Sequence, residues 1–126
     1  MTLTERSRRG QWGEARAEAL LSGSGLALLE RNYRCRAGEI DLVMLDTGTD
    51  EGDTLVFVEV RLRAAGAMVE ALETVDQHKQ RKLTRAAQFF LMQKPEYAEL
   101  PCRFDVIAID DEDAQPVWLR NAFDGC

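Results

Sequence analysis

The chain has 126 residues, with 16 Lys and Arg against 22 Asp and Glu, and is 45% hydrophobic and 30% charged. That composition suits one globular domain over residues 1–126 and excludes disordered, collagen-like and disulfide-scaffold classes. No apolar run approaches the ~18 residues of a membrane helix and no apolar leader follows Met1, so no membrane partner is expected and the cytoplasm is the default compartment.

In chain order, the first helix is predicted over about Gln11–Leu21, with Ala15, Ala19 and Leu20 as its apolar stripe and Ser22-Gly23-Ser24-Gly25 ending it. Leu26–Cys35 reads as a strand, Ala37-Gly38 as a turn and Glu39–Leu45 as a second strand. A Gly- and Asp-rich loop leads to a third strand, Thr54–Arg63, built on Leu55-Val56-Phe57-Val58. The three strands are expected to pair as an antiparallel meander. Thr74-Val75-Asp76-Gln77 has the pattern of a capping box. It opens a second helix that runs to about Lys94, with Val75, Leu83, Ala86, Ala87 and Phe90 on one face. Arg103–Ile109 is a fourth strand, apolar enough to be buried on both sides as a central or parallel strand. Pro116–Leu119 adds a short edge strand. The order is α-β-β-β-α-β, an α/β sheet with two helices packed on it.

Cys35, Cys102 and Cys126 are odd in number, widely spaced and without a CxxC pair. Neither a disulfide framework nor a zinc site is expected, and Cys126 is expected as an exposed thiol. His78 is the only histidine, so a Ser-His-Asp or Cys-His site would have to be built on it.

The net charge of −6 argues against a nucleic-acid partner if taken alone. Its distribution says more. Residues 1–36 hold seven Arg against four Glu, and residues 37–60 hold seven acids and no base. Residues 61–85 hold six bases against three acids, and residues 86–126 eight acids against three bases. An acidic centre is therefore flanked by two basic segments. Much of the acidity falls in 46–53 and 110–113, where it solvates turns.

Side chains alternate faces along a strand. On the second strand Glu39, Asp41, Val43 and Leu45 share one face, and Ile40, Leu42 and Met44 the other. On the third, Leu55, Phe57, Glu59, Arg61 and Arg63 oppose Val56, Val58, Val60 and Leu62. If the loop joins the two strands as a hairpin, Asp41 comes near Glu59. Two carboxylates on one sheet face suit a hard cation such as Mg²⁺ or Mn²⁺. Ion pairs with Arg61 or Arg63 are the other reading. Glu14, at the start of the first helix, also fits the helix dipole. Lys79, one of three lysines against thirteen arginines, lies on the line Val75-Lys79-Leu83-Ala86-Phe90 and so on the sheet-facing side of the second helix.

Six spaced segments carry a family resemblance: Gly10–Ala17, Glu30–Arg34, Gly38–Leu42, Leu55–Arg63, Val75–Leu83 and Arg103–Ile107. With them the chain resembles the YraN-like family of small bacterial proteins. That family is placed in the PD-(D/E)xK nuclease superfamily and is similar to archaeal Holliday-junction resolvases. The resemblance implies a restriction-endonuclease-like α-β-β-β-α-β core, a mixed sheet with flanking helices. It implies that Asp41 and Glu59, completed by Glu14, hold Mg²⁺ or Mn²⁺, which activates water against a DNA phosphodiester. The motif lysine is Arg61 here. Arginine cannot give up its proton but can stabilise the phosphate, and Lys79 is the candidate to replace the missing amine. Glu14, Asp41, Glu59, Arg61 and Lys79 are thus the expected catalytic set. The partner implied is double-stranded or branched DNA. Its phosphates would be met by the basic flanks, among them Arg8, Arg9, Arg34, Arg36, Arg63, Arg81 and Lys82. Resolvases of the superfamily act as dimers, so a homodimer belongs to the same expectation. A catalytically inactive DNA-binding module with the same fold is the alternative, and an interaction protein whose carboxylates only form ion pairs is a third.

Overall fold

The computed structural model describes residues 3–50, 52–63, 75–110 and 116–126. The elements are α1 (Leu3–Gly23), β1 (Leu26–Cys35), β2 (Gly38–Asp46), β3 (Thr54–Arg63), α2 (Gln77–Gln93), a 3₁₀ turn (Pro95–Tyr97), β4 (Cys102–Asp110) and β5 (Val117–Phe123). One sheet holds the strands in the order β1-β2-β3-β4-β5. The first three form the expected antiparallel meander, β4 runs parallel to β3, and β5 closes the edge antiparallel to β4. This is the α/β arrangement of a mixed sheet with two flanking helices, as a restriction-endonuclease-like core requires.

Each sheet face has its own core. On the α1 side Ala17, Leu21, Leu42, Met44, Val56, Val58 and Ile107 pack together. On the α2 side Tyr33, Val43, Leu55, Phe57, Leu83, Phe90 and Phe104 do so. The strict alternation of β3 feeds both, Leu55 and Phe57 to one and Val56 and Val58 to the other. β4 is buried on both faces, as its mostly apolar sequence predicts. Burying a side chain the size of Phe57, Phe90 or Phe104 contributes about 2–3 kcal/mol.

Two boundaries and one helix face differ from the sequence reading. α1 starts at Leu3 rather than near Gln11, because Leu, Glu and Arg are good helix formers and one glycine costs only about 1 kcal/mol. Its buried line is Gly13, Ala17 and Leu21, while Ala15 and Ala19 face solvent. Alanine is small enough to sit on either face, and the missing side chain of Gly13 decides the matter. A Cβ there would lie 2.9 Å from Leu62 Cδ2, so Gly13 lets α1 sit close against β3. β5 extends to Phe123, beyond the expected Leu119. At the end of α1, Ser24 donates its N–H to the Leu20 carbonyl and Gly25 turns the chain at φ +96°. α2 opens as expected, although on Asp76 alone within the described residues: its side chain accepts the N–H of Lys79. Thr74, the first residue of the predicted capping box, lies outside them.

The cysteine expectation is overturned. Cys102 and Cys126 form a disulfide with their Cα atoms 5.6 Å apart, and Cys35 is the one free thiol. Spacing in sequence hid the pair. Cys102 opens β4, and the chain returns beside it after β5 runs antiparallel to β4. No helix among the described residues is long and apolar enough to cross a membrane.

Candidate active site

β2 and β3 stay in register from Asp46↔Thr54 to Leu42↔Val58. Beyond that point Asp41 takes over from the backbone, its Oδ2 accepting the N–H of Val60 at 2.8 Å. The alternation of β2 breaks here. Leu42 and Met44 belong to the α1-side core, but Ile40 packs with the α2-side core beside Val43. Strict period two would have put Ile40 with Leu42 and Met44. The change of face at Asp41 turns its carboxylate and that of Glu39 toward Glu14, which the longer α1 places in the middle of the helix and not at its start.

Three carboxylates meet there. Oxygens of Glu14, Glu39 and Asp41 all lie within 4.8 Å of one another. Close packing at Gly13 brings Glu14 in from α1, and Asn32 binds it from β1. Asn32 has φ +52°, a left-handed conformation that Asn tolerates better than most residues. Burial raises the Glu14 carboxyl above its ordinary value, the Asn32 hydrogen bond opposes that, and Glu39 adds to it. Asp41 is pushed up to about 7 by burial first and then by the negative charge of Glu59, against the pull of the Val60 N–H. Glu39 is the residue the sequence reading did not select. Its signal was its place two residues before Asp41 on one strand.

Glu59 stands on the α2 face of β3 and is not one of those three. Its Oε1 lies 3.6 Å from Lys79 Nζ and 3.4 Å from Arg61 Nε. The Arg61 contact lacks hydrogen-bond geometry and is electrostatic. Burial raises the Glu59 carboxyl, and Lys79 and Arg61 pull it back. Lys79 therefore comes from α2 toward the sheet, on the line the helical spacing indicated. Asp41 and Glu59 are close enough to share a field while facing different partners.

The basic residues spread over several surfaces. Arg8, Arg34, Arg36, Arg81 and Lys82 are exposed and Arg9 is half-buried. Arg34 lies 3.8 Å from Glu39 at the rim of the carboxylate group, and the Arg36 guanidinium lies 5.4 Å from the Phe89 ring centre. Gly38 abuts the Cβ of Lys82, so the β1–β2 turn and α2 bring Arg36 and Lys82 onto one stretch of surface. The side chain of Arg63 lies outside the described residues.

A second charged group lies toward the other end of the sheet, and sequence reasoning missed it. Asp105, fully buried, accepts from Arg103 Nε at 3.0 Å, Trp118 Nε1 at 2.9 Å and the Asn121 N–H at 2.9 Å. Arg103 also donates to Asp46 Oδ2 at 3.0 Å. Every oxygen here has a donor, so the group is a satisfied structural junction. Its one signal was an aspartate inside an otherwise apolar strand.

A model of the uncharacterised protein family UPF0102 matches residues 13–109. A UPF0102 protein of Stutzerimonas stutzeri is 52% identical over 124 residues, covering 97% of this chain and 99% of its own. One of Alcanivorax borkumensis is 47% identical over 124 residues, covering 96% and 95%. Among solved structures, Pyrococcus furiosus SfsA in complex with Ca²⁺ aligns with 90% of this chain and 63% of its own, at 10% identity and a TM-score of 0.30, too loose a likeness to support any inference.

Proposed function

The chain belongs to UPF0102, the YraN-like family of the PD-(D/E)xK nuclease superfamily, and on that premise we propose that it binds nucleic acid and cleaves DNA phosphodiester bonds, in branched or recombination intermediates, with a divalent cation. One observation carries the reading: the carboxylates of Glu14, Glu39 and Asp41 converge within 4.8 Å.

These donors fit Mg²⁺ or Mn²⁺. All are hard oxygen ligands, and Asp41 is forced up in pKa by burial among like charges, a strain that a bound dication relieves. Glu14, Glu39 and Asp41 would hold the ion, with Glu59 beside them. When bound it supplies Lewis acidity toward the scissile phosphate and a water of lowered pKa.

The remaining work falls to the protein's own groups. Val60 fixes the Asp41 carboxylate, and Asn32 fixes Glu14. Arg61 contributes the positive charge of its guanidinium to the developing phosphorane. Lys79, 3.6 Å from Glu59, supplies the amine that can exchange a proton. Arg34, Arg36 and Lys82 offer a phosphate-binding rim.

Arg61 also favours a second reading, a nucleic-acid-binding module that does not cut. The two separate on a labelled four-way junction and a matched linear duplex incubated in Mn²⁺, with Asp41→Ala alongside. Cleavage by the wild type and not by the variant supports the nuclease. A gel shift without cleavage supports the module, and neither result would overturn both.

A further inference from the structure

The flank of α2 turned away from Glu59 borders an open cleft of about 500 Å³. One wall is helical, with Gln77, Gln80, Arg81 and Arg85 on it; the other is Asp124 and Gly125, which follow β5. Positive and negative walls face each other without closing. Among the described residues, neither Arg81 nor Arg85 nor Asp124 has an ion-pair partner. The second wall is fixed in place. A Cβ on Gly125 would fall 2.7 Å from both Phe104 Cε2 and Thr84 Oγ1, and the next residue is tied to β4 by the Cys102–Cys126 disulfide.

We propose that this cleft binds one unpaired nucleotide, its phosphate on Arg81 and Arg85 and the amino-bearing edge of its base on Asp124. Two guanidiniums one helical turn apart suit a phosphate. A carboxylate accepts from the ring N–H and amino group of guanine or from the amino group of cytosine, and thymine has no amino group to offer. In a duplex that edge is occupied by the opposite base. The cleft therefore selects nucleic acid with an unpaired nucleotide, such as a branch point or a single-stranded end. This deepens the nucleic-acid reading above and names its substrate class. It further makes binding dependent on the disulfide, which holds the Asp124 wall.

The test is calorimetric titration of the full chain in EDTA with deoxyguanosine monophosphate, thymidine monophosphate and inorganic phosphate. The guanine nucleotide is expected to bind about tenfold more tightly than the other two, a difference set by the Asp124 contact. Arg81→Ala with Arg85→Ala should abolish binding. Asp124→Asn should bring the guanine nucleotide down to the thymine level. Cys126→Ser, or reduction with dithiothreitol, should do the same by releasing the wall. Equal affinity for all three probes, no binding of any, or indifference to Asp124→Asn would overturn the proposal. All four residues varied lie outside the carboxylate cluster and no metal is present. A negative result here thus leaves the cleavage assay untouched, and a failed cleavage assay leaves this one standing.

Discussion

Asp41 accepts the backbone N–H of Val60 where β2 and β3 cease to pair, so one carboxylate both ends a strand ladder and anchors a group of like charges. The two roles compete. Holding the N–H stabilises the fold, while bringing Asp41 into the buried neighbourhood of Glu59, Glu14 and Glu39 costs free energy.

Asp41→Asn separates those roles. The amide oxygen can still accept from Val60, and the buried charge is gone. In EDTA at pH 8 the variant is expected to be more stable than wild type by about 1–3 kcal/mol, a rise of several degrees in Tm. Mn²⁺ should raise the Tm of wild type and leave the variant unmoved. Thermal melts with and without the metal check both. A variant less stable than wild type in EDTA would show that the carboxylates are not under strain.

Lys79→Ala removes the cation that α2 brings to Glu59. The lysine side chain is 37% exposed, so solvent screening limits the stability loss to about 1 kcal/mol. Cleavage should fall by at least about 100-fold, the usual contribution of a positioned proton-transfer group. Lys79→Arg should restore the stability and not the cleavage. Urea unfolding and junction cleavage measured on the same preparations distinguish the two effects. Full activity in Lys79→Ala would remove Lys79 from the mechanism.

Arg103→Met leaves Asp105 and Asp46 without their shared cation. Asp105 is fully buried and retains only Trp118 and the Asn121 N–H. Breaking a buried pair from one side costs about 3–5 kcal/mol. Urea denaturation should register a loss of that size. A loss under about 1 kcal/mol would mean the junction is solvated.

Asp46 sets an acid limit on the fold. Burial raises its carboxyl, but the Gly48 N–H and Arg103 outweigh that and hold it below the ordinary carboxylate range. A carboxyl lowered in the folded state contributes stability that is complete above its unfolded pKa and is lost as pH falls through the folded value. Wild type should therefore lose stability more steeply than Asp46→Asn below about pH 4. Melts between pH 5.5 and pH 2.5 would reveal the difference. Parallel curves would exclude Asp46 as a contributor.

How far the sequence reached depended on the range of the interactions involved. The alternation along Leu55–Arg63 determined which residues of β3 share a face, and so set Glu59 and Arg61 on the same side. The spacing of Val75, Lys79, Leu83 and Phe90 determined that Lys79 reaches the sheet. Six spaced motifs were enough for the family. These are local periodicities, which the chain carries wherever it goes.

What the sequence could not determine depended on contacts between distant segments. Glu39 joins Glu14 because β2 changes face at Asp41, a break that arises only when β3 supplies the Val60 N–H. α1 turns Ala17 inward and Ala15 outward because Gly13 meets Leu62 of β3. Cys126 finds Cys102 because β5 folds back along β4, and Asp105 is paid its three donors by Arg103, Trp118 and Asn121. The types of side chain were legible from the start. Which carboxylates stand together was decided by tertiary packing, because a strand's period says which face a residue takes only while the ladder beside it is unbroken.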